Sequence, residues 1–280
     1  MYKKYNQQEL DLQYNNRFHV PDFENYLQRW ENLSRNAREE YKVIKDIRYG
    51  DKSRECLDVV SPPTPFSKTL VFIHGGYWQR FDKSSFHFIA AAFAGYGITT
   101  VIINYPLAPD VLIDQIVESC RKAIDWICNN IAALNGDAAQ MYIAGHSAGA
   151  HLAAMLMTVE EEQSHKTSIK GICAISGLFN LIPIQLSNIN DVLQMDKETA
   201  IRNSPSFKRP VELCPLLIAV GGAETNEFLD QSRELRDKWK NKTRSAEFIV
   251  MPCLNHFSVL DSFCDVNSLL HKSMCKLMEI

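Results

Sequence analysis

The chain has 280 residues, 46% hydrophobic and 22% charged, which is enough apolar material for one large core and too much for a disordered or fibrous chain. Its net charge of −3, with no basic run among the 30 Lys and Arg, gives no electrostatic footprint for nucleic acid or an acidic membrane, so small-molecule partners are expected, with a homodimer left open. The opening residues lack the apolar core of a signal peptide, and nowhere do about 18 apolar residues run uninterrupted, which points to a cytoplasmic protein. Eight cysteines are scattered through mostly apolar segments without a C-x-x-C pair, the pattern of reduced, buried thiols rather than of disulfides or zinc.

In chain order, residues 1–43 are polar with interspersed aromatics, among them Tyr14, Phe18, Phe23, Tyr26 and Trp30, and residues 22–40 read as a helix after Pro21. Two roles are open to this segment: capping a site, or packing on the outside of the domain. Residues 44–48 and 56–60, separated by Tyr49-Gly50-Asp51-Lys52, read as an antiparallel pair that opens a sheet. Six apolar, β-branched runs follow at 70–73, 99–103, 141–144, 169–175, 216–220 and 246–250, continuous enough for buried parallel strands. Between them, residues 110–131 place Ile113, Ile116, Val117, Cys120, Ile124, Ile127 and Ile131 on one helical stripe, with Asp110 as a plausible cap. The stretch 178–210 breaks the alternation, and an insertion there is expected to form a lid or a substrate pocket, with its side chains choosing the substrate. The reading is a single α/β domain over 1–280: a mostly parallel central sheet flanked by helices, with an N-terminal cap segment and a lid-like insertion.

Two short runs carry the chemistry. Gly145-His146-Ser147-Ala148-Gly149 lies between a strand at 141–144 and a helix-forming stretch at 148–157, the strand, sharp turn and helix that a nucleophile elbow requires. Small residues two before and two after Ser147 let strand and helix approach, and the helix N-terminus aims its amides at charge developing beside the serine. His74-Gly75-Gly76-Tyr77-Trp78 follows the strand at 70–73, where oxyanion donors belong, so the amides of Gly76, Tyr77 and Ala148 are the expected oxyanion hole. Trp78 is a candidate for lining the substrate pocket, and either aromatic of this run could equally be core.

An activated serine needs a base, and the base needs an orienting carboxylate, in the chain order acid then histidine. His256 stands in the loop after the last strand, whereas His271 falls in a terminal helical pattern and is expected on its surface. Glu224, in the loop after the strand at 216–220, is the expected acid; its rival Glu227 lies one turn into a helix, whose first turn favours acidic residues anyway. Asp230 and Asp261 are outsiders. His146 and His151 are five residues apart with no carboxylate or thiolate spaced to complete a metal site, so no metal and no cofactor is expected. His151 is expected to bond within the packed helix.

On these residues the chain resembles the α/β-hydrolase superfamily, and within it the hormone-sensitive-lipase-like esterases and above all the kynurenine formamidases (arylformamidases). The resemblance rests on the runs at 74–78 and 145–149, Tyr105-Pro106-Leu107-Ala108-Pro109, residues 221–228 with Gln231-Ser232-Arg233, and Asn255-His256-Phe257-Ser258. It implies a triad of Ser147, Glu224 and His256 and the oxyanion hole named above. Tyr77 stands where the lipase-like esterases usually have a third glycine, which favours the formamidase side; Glu224 stands where many formamidases have aspartate. The implied activity is cleavage of a small acyl group from an ester or aryl formamide through an acyl-enzyme. The alternative is a fold of this type retained as a non-catalytic ligand receptor.

Overall fold

The computed structural model describes residues 2–158, 169–210 and 214–280; Met1 lies outside the described residues. Eight strands form one sheet: β1 (Val43–Arg48), β2 (Cys56–Val60), β3 (Ser67–Ile73), β4 (Thr99–Ile103), β5 (Gly136–His146), β6 (Ile169–Ile175), β7 (Leu216–Gly221) and β8 (Ala246–Met251). Their order is β1-β2-β4-β3-β5-β6-β7-β8, with β2 antiparallel to β1 and β4 and every pairing from β4 to β8 parallel. The helices are α1 (Gln7–Gln13), α2 (Asn16–His19), α3 (Phe23–Glu40), α4 (His87–Ala94), α5 (Ile113–Asn130), α6 (Ala148–Leu156), α7 (Ile182–Gln185), α8 (Asn190–Leu193), α9 (Lys197–Arg202), α10 (Asn226–Trp239), α11 (Ser258–Cys264) and α12 (Leu269–Met278).

Alternation along the strands sorts the core into two halves, because successive side chains of a strand point to opposite faces. Val71, Ile73, Ile143, Ala174 and Ile218 meet α5, α6 and α10 on one face, together with Tyr5, Leu10 and Tyr14 from the N-terminal segment. Leu70, Phe72, Ala144, Cys173 and Ala219 meet Trp30 of α3 and the helices α4, α11 and α12 on the other. A sheet covered on both faces explains why its strands read as unbroken apolar runs. With the antiparallel edge at β1 and β2, this is α/β-hydrolase architecture.

Two local expectations change. The helix expected from residue 110 begins at Ile113, because Val111 N–H bonds the Leu107 carbonyl in a turn through Pro109; Asp110 is not its cap, and Leu112 N–H is satisfied by Gln115 Oε1 at 3.0 Å. His271 is not on the surface of the terminal helix. It is fully buried, its Nδ1 bonding the Phe263 carbonyl at 2.9 Å, its Nε2 meeting Tyr96 OH at 3.2 Å and its ring stacked on Phe93. Both ring nitrogens are partnered, which is what makes burial of an imidazole tolerable.

Candidate active site

The elbow forms because β5 runs straight into α6 with one residue between them. Ser147 occupies that position with φ 57° and ψ −122°, a left-handed conformation that an L side chain adopts only when the surroundings enforce it. The enforcement is close packing. A Cβ on Gly145 would lie 2.2 Å from the Gly149 carbonyl oxygen, and one on Gly149 would lie 2.0 Å from that of Ile73, so neither position accepts any other residue without movement of backbone. Ser147 N–H is tied to the Ile175 carbonyl at 2.8 Å, fixing the turn against β6.

Ala148 opens α6, and the first amides of a helix have no intrahelical acceptor. The run after β3 makes a left-handed turn through three successive residues, with φ 104° at Gly76, 52° at Tyr77 and 59° at Trp78. The amides of Gly76, Tyr77 and Ala148 donate no hydrogen bond to any other described residue. Beneath the turn, Tyr105 OH donates to the His74 carbonyl at 2.8 Å, and the His74 ring is stacked between Tyr105 and Phe86. Burial pushes the His74 pKa down to about 4, so the imidazole is neutral.

His256, in the loop before α11, meets Glu224 through Nδ1 and Oε2 at 2.6 Å. The other carboxylate oxygen of Glu224 accepts from Gly221 N–H at 2.7 Å and from Ser176 Oγ at 2.5 Å. Glutamate's extra methylene is thereby accommodated: the side chain folds back over its own loop and still reaches the imidazole. Ser176 and the Gly221 amide as anchors of the acid were not foreseen from sequence, since neither stands in a motif. Nor was the part of His146. Its Nε2 donates to the His256 carbonyl at 2.8 Å and its ring lies 4.7 Å from the His256 ring, so it holds the loop that bears His256. Burial first, and then the neighbouring His256, keep His146 well below the usual histidine pKa.

Ser147 and His256 line one cavity of about 250 Å³, together with Gly75, Gly76 and Tyr77 from the turn after β3. The rest of its wall comes chiefly from the N-terminal segment, through Tyr14, Asn16, Phe23, Leu27 and Trp30 among others. From the stretch 178–210 only Asn188 and Ile189 contribute. Tyr77 lines the cavity and donates its hydroxyl to the Tyr14 carbonyl at 2.7 Å. Trp78 does not line it: the indole is fully buried and donates to His151 Nδ1 at 3.2 Å, while His151 Nε2 donates to the Asn203 carbonyl. The reversal of chain direction at Tyr77 turns the two neighbouring rings to different sides.

The remaining acids have other partners. Glu227 is fully buried, accepting from Lys3 Nζ at 2.9 Å and Tyr14 OH at 3.1 Å. Asp230 pairs with Lys3 and Arg233, and Asp261 with Arg29 and the Trp30 indole. Among the described residues no group of three or more His, Cys, Asp or Glu is arranged to hold a metal ion, and no helix is long and apolar enough to cross a membrane.

Residues 57–238 match the family described as BD-FAE. The chain belongs to that family, within the α/β-hydrolase superfamily. Kynurenine formamidase of Danio rerio is 32% identical over 86% of this chain and 84% of its own length, and kynurenine formamidase of Salmo salar is 31% identical over the same shares. A crystal structure from Silicibacter sp., provisionally described as that of a thioesterase, superposes with a TM-score of 0.83 at 29% identity, covering 94% of this chain and 97% of that one. Membership of the BD-FAE family and these relatives support hydrolase chemistry of the esterase type.

Proposed function

We propose that the protein is a serine hydrolase that removes a small acyl group from an ester or an aryl formamide by way of an acyl-enzyme. The observation that carries this reading is the 2.6 Å contact of Glu224 with His256 Nδ1, on the edge of a cavity that also holds a strained Ser147. With Nδ1 engaged by the carboxylate, Nε2 is the nitrogen left to act as base. His256 takes the Ser147 proton as Oγ attacks the acyl carbonyl, and the Gly76, Tyr77 and Ala148 amides receive the oxyanion. The same imidazolium then protonates the leaving group, a step that an aryl amine needs more than an activated phenol does. Water, deprotonated by His256, releases the acid and restores Ser147. Residues 1–43 act as the cap, with the insertion 178–210 behind it, and the reaction takes place in the cytoplasm.

Labelling by a fluorophosphonate, abolished by Ser147→Ala, tests the nucleophile; labelling that persists in the variant would overturn the assignment. Comparing kcat/KM for N-formylkynurenine, a short aryl ester and a short thioester tests the substrate. Preference for the formamide is expected if the kinship to kynurenine formamidases extends to activity.

A further inference from the structure

His146, the last residue of β5, is more than nine-tenths buried and lines the cavity beside Ser147. Its Nε2 meets the His256 carbonyl, which can only accept, so Nε2 carries the hydrogen of the ring. Burial keeps the ring neutral, and a neutral imidazole has a single N–H, so Nδ1 is a bare lone pair. Among the described residues nothing donates to Nδ1, and it is not one of the polar atoms sealed in the interior without a partner; it opens onto the cavity.

The donors around the ring are committed elsewhere. Trp30, whose ring meets that of His146 edge-on, donates Nε1 to Asp261 at 2.7 Å, and the Ser147 amide donates to the Ile175 carbonyl. A Cβ on Gly75 would lie 3.5 Å from His146 Nδ1 and 3.0 Å from Ser147 Cβ, so the lone pair and the serine side chain border one small space. With its ring 4.7 Å from that of His256, His146 flanks this space on the side where a leaving group must receive its proton.

In an amide the nitrogen lone pair is delocalised into the carbonyl. When Ser147 Oγ bonds to the acyl carbon, the carbonyl π electrons move to oxygen and the nitrogen pair becomes localised. That pair must face His256 to take its proton before the C–N bond breaks and the amine departs. The N–H already present then points aside from that line, and among the rings of Phe23, Trp30 and Phe257 it is costly to leave without an acceptor. An ester oxygen carries no such hydrogen.

We propose that His146 Nδ1 accepts the N–H of the scissile amide and thereby sets how far the site favours secondary amides over esters and N-alkylated amides. This role for His146 rests on the serine-hydrolase reading and adds a specificity-determining residue to it.

Formanilide, N-methylformanilide and phenyl formate pass through one formyl-enzyme, and the leaving atom carries a hydrogen only in formanilide. In the unaltered protein kcat/KM for formanilide, relative to N-methylformanilide and with each divided by its rate of alkaline hydrolysis, is expected to be larger by roughly tenfold or more. A ratio near one overturns the proposal. His146→Gln keeps a donor at the Nε2 position for the His256 carbonyl and has no acceptor where Nδ1 stood. Whatever it does to phenyl formate, it lowers formanilide by a further 10- to 100-fold, roughly, while N-methylformanilide follows the ester. His146→Asn, which sets a carbonyl oxygen near the Nδ1 position and gives up the tether to the loop, slows all three alike. An equal fall for all three in His146→Gln would leave His146 to the loop or to the deacylating water and overturn the proposal, as would selective loss of formanilide in His146→Asn. If phenyl formate is cleaved and these ratios do not move, the role of His146 fails alone; if nothing is cleaved and Ser147 resists fluorophosphonate, the hydrolase reading fails and takes it along.

Discussion

The base and the roof of the cavity are held by different forces. At the base, Ser147, the turn at 76–78 and Glu224 sit at the ends of β5, β3 and β7, where backbone meets backbone: a Cβ on Gly145 or Gly149 would collide with carbonyl oxygens. The roof is side-chain work. Lys3 and Tyr14 reach Glu227, Gln231 Nε2 donates to Tyr14 OH, and Tyr77 OH donates to the Tyr14 carbonyl, so residues 2–20 are moored by a few long-range hydrogen bonds. Steric exclusion at the base fixes Ser147 and the strand ends around it to within tenths of an ångström, while the roof can give and re-form. Changes at the base should therefore appear in kcat and changes in the roof in KM.

The sharpest break of that contrast is Ser147→Ala. It removes no packing of consequence, so the melting temperature should hold, while kcat falls by about 10⁵- to 10⁶-fold, the scale seen when a triad nucleophile is lost. Glu224→Gln comes next, at about 10³- to 10⁴-fold in kcat. It keeps the side chain's length and loses the charge that steadies an imidazolium, and KM for a neutral ester should stay within about threefold. A rise in KM without a fall in kcat would place Glu224 with the roof instead. Steady-state kinetics with a short aryl ester reads both.

The same contrast decides what was legible in the sequence. All eight strands and the elbow were, because buried parallel strands need unbroken apolar runs and the elbow needs glycines at fixed spacing. His256 and Glu224 were placed by chain order and their loops, and the structure brings them into contact. What failed was burial of polar groups by distant partners. His271 looked like a surface residue because nothing local reveals Phe263 and Tyr96 as its partners. Trp78 looked like pocket wall because the sequence does not show that the turn at 76–78 reverses the backbone beneath it. The cavity's debt to the N-terminal segment rests on Tyr14 contacts that span more than two hundred residues, to Glu227 and Gln231, and no periodicity encodes such pairs.

Beneath the base lies a pH-sensitive layer. His74 and His151 are fully buried and desolvation lowers each to about 4, with His146 shifted in the same direction. An unfolded histidine titrates near 6.5, so between pH 6.5 and 4 the unfolded chain binds more protons than the folded one, and stability must fall as the pH falls through that window. Each of the two contributes about 3 kcal/mol of loss by its lower end. Asp58 and Asp82, whose pKa values are lowered from 3.8 by hydrogen bonds that outweigh their desolvation, act only further down. Urea unfolding at pH 7.5 and 4.5 should show the drop, and His151→Gln should remove about one histidine's share of it. A flat profile would mean that these rings are not neutral in the fold.

The smallest effect is the most discriminating, because the same substitution can be made three residues from Glu224. Glu227→Gln keeps the volume and an acceptor for Tyr14 while stripping the charge that Lys3 pairs with. Lys3 is 41% exposed, so solvent screens the pair and the stability loss should be about 1 kcal/mol. The consequence belongs to the roof: Tyr14 and its neighbours loosen over the cavity, KM rises by about two- to fivefold, and kcat stays within about twofold. Two Glu→Gln changes three residues apart, one in the loop before α10 and one in its first turn, would then divide cleanly, one acting on the carboxylate that touches the imidazole, the other on the strap that covers it. A fall in kcat for Glu227→Gln approaching that for Glu224→Gln would show that the roof, too, sets the geometry of the reacting groups.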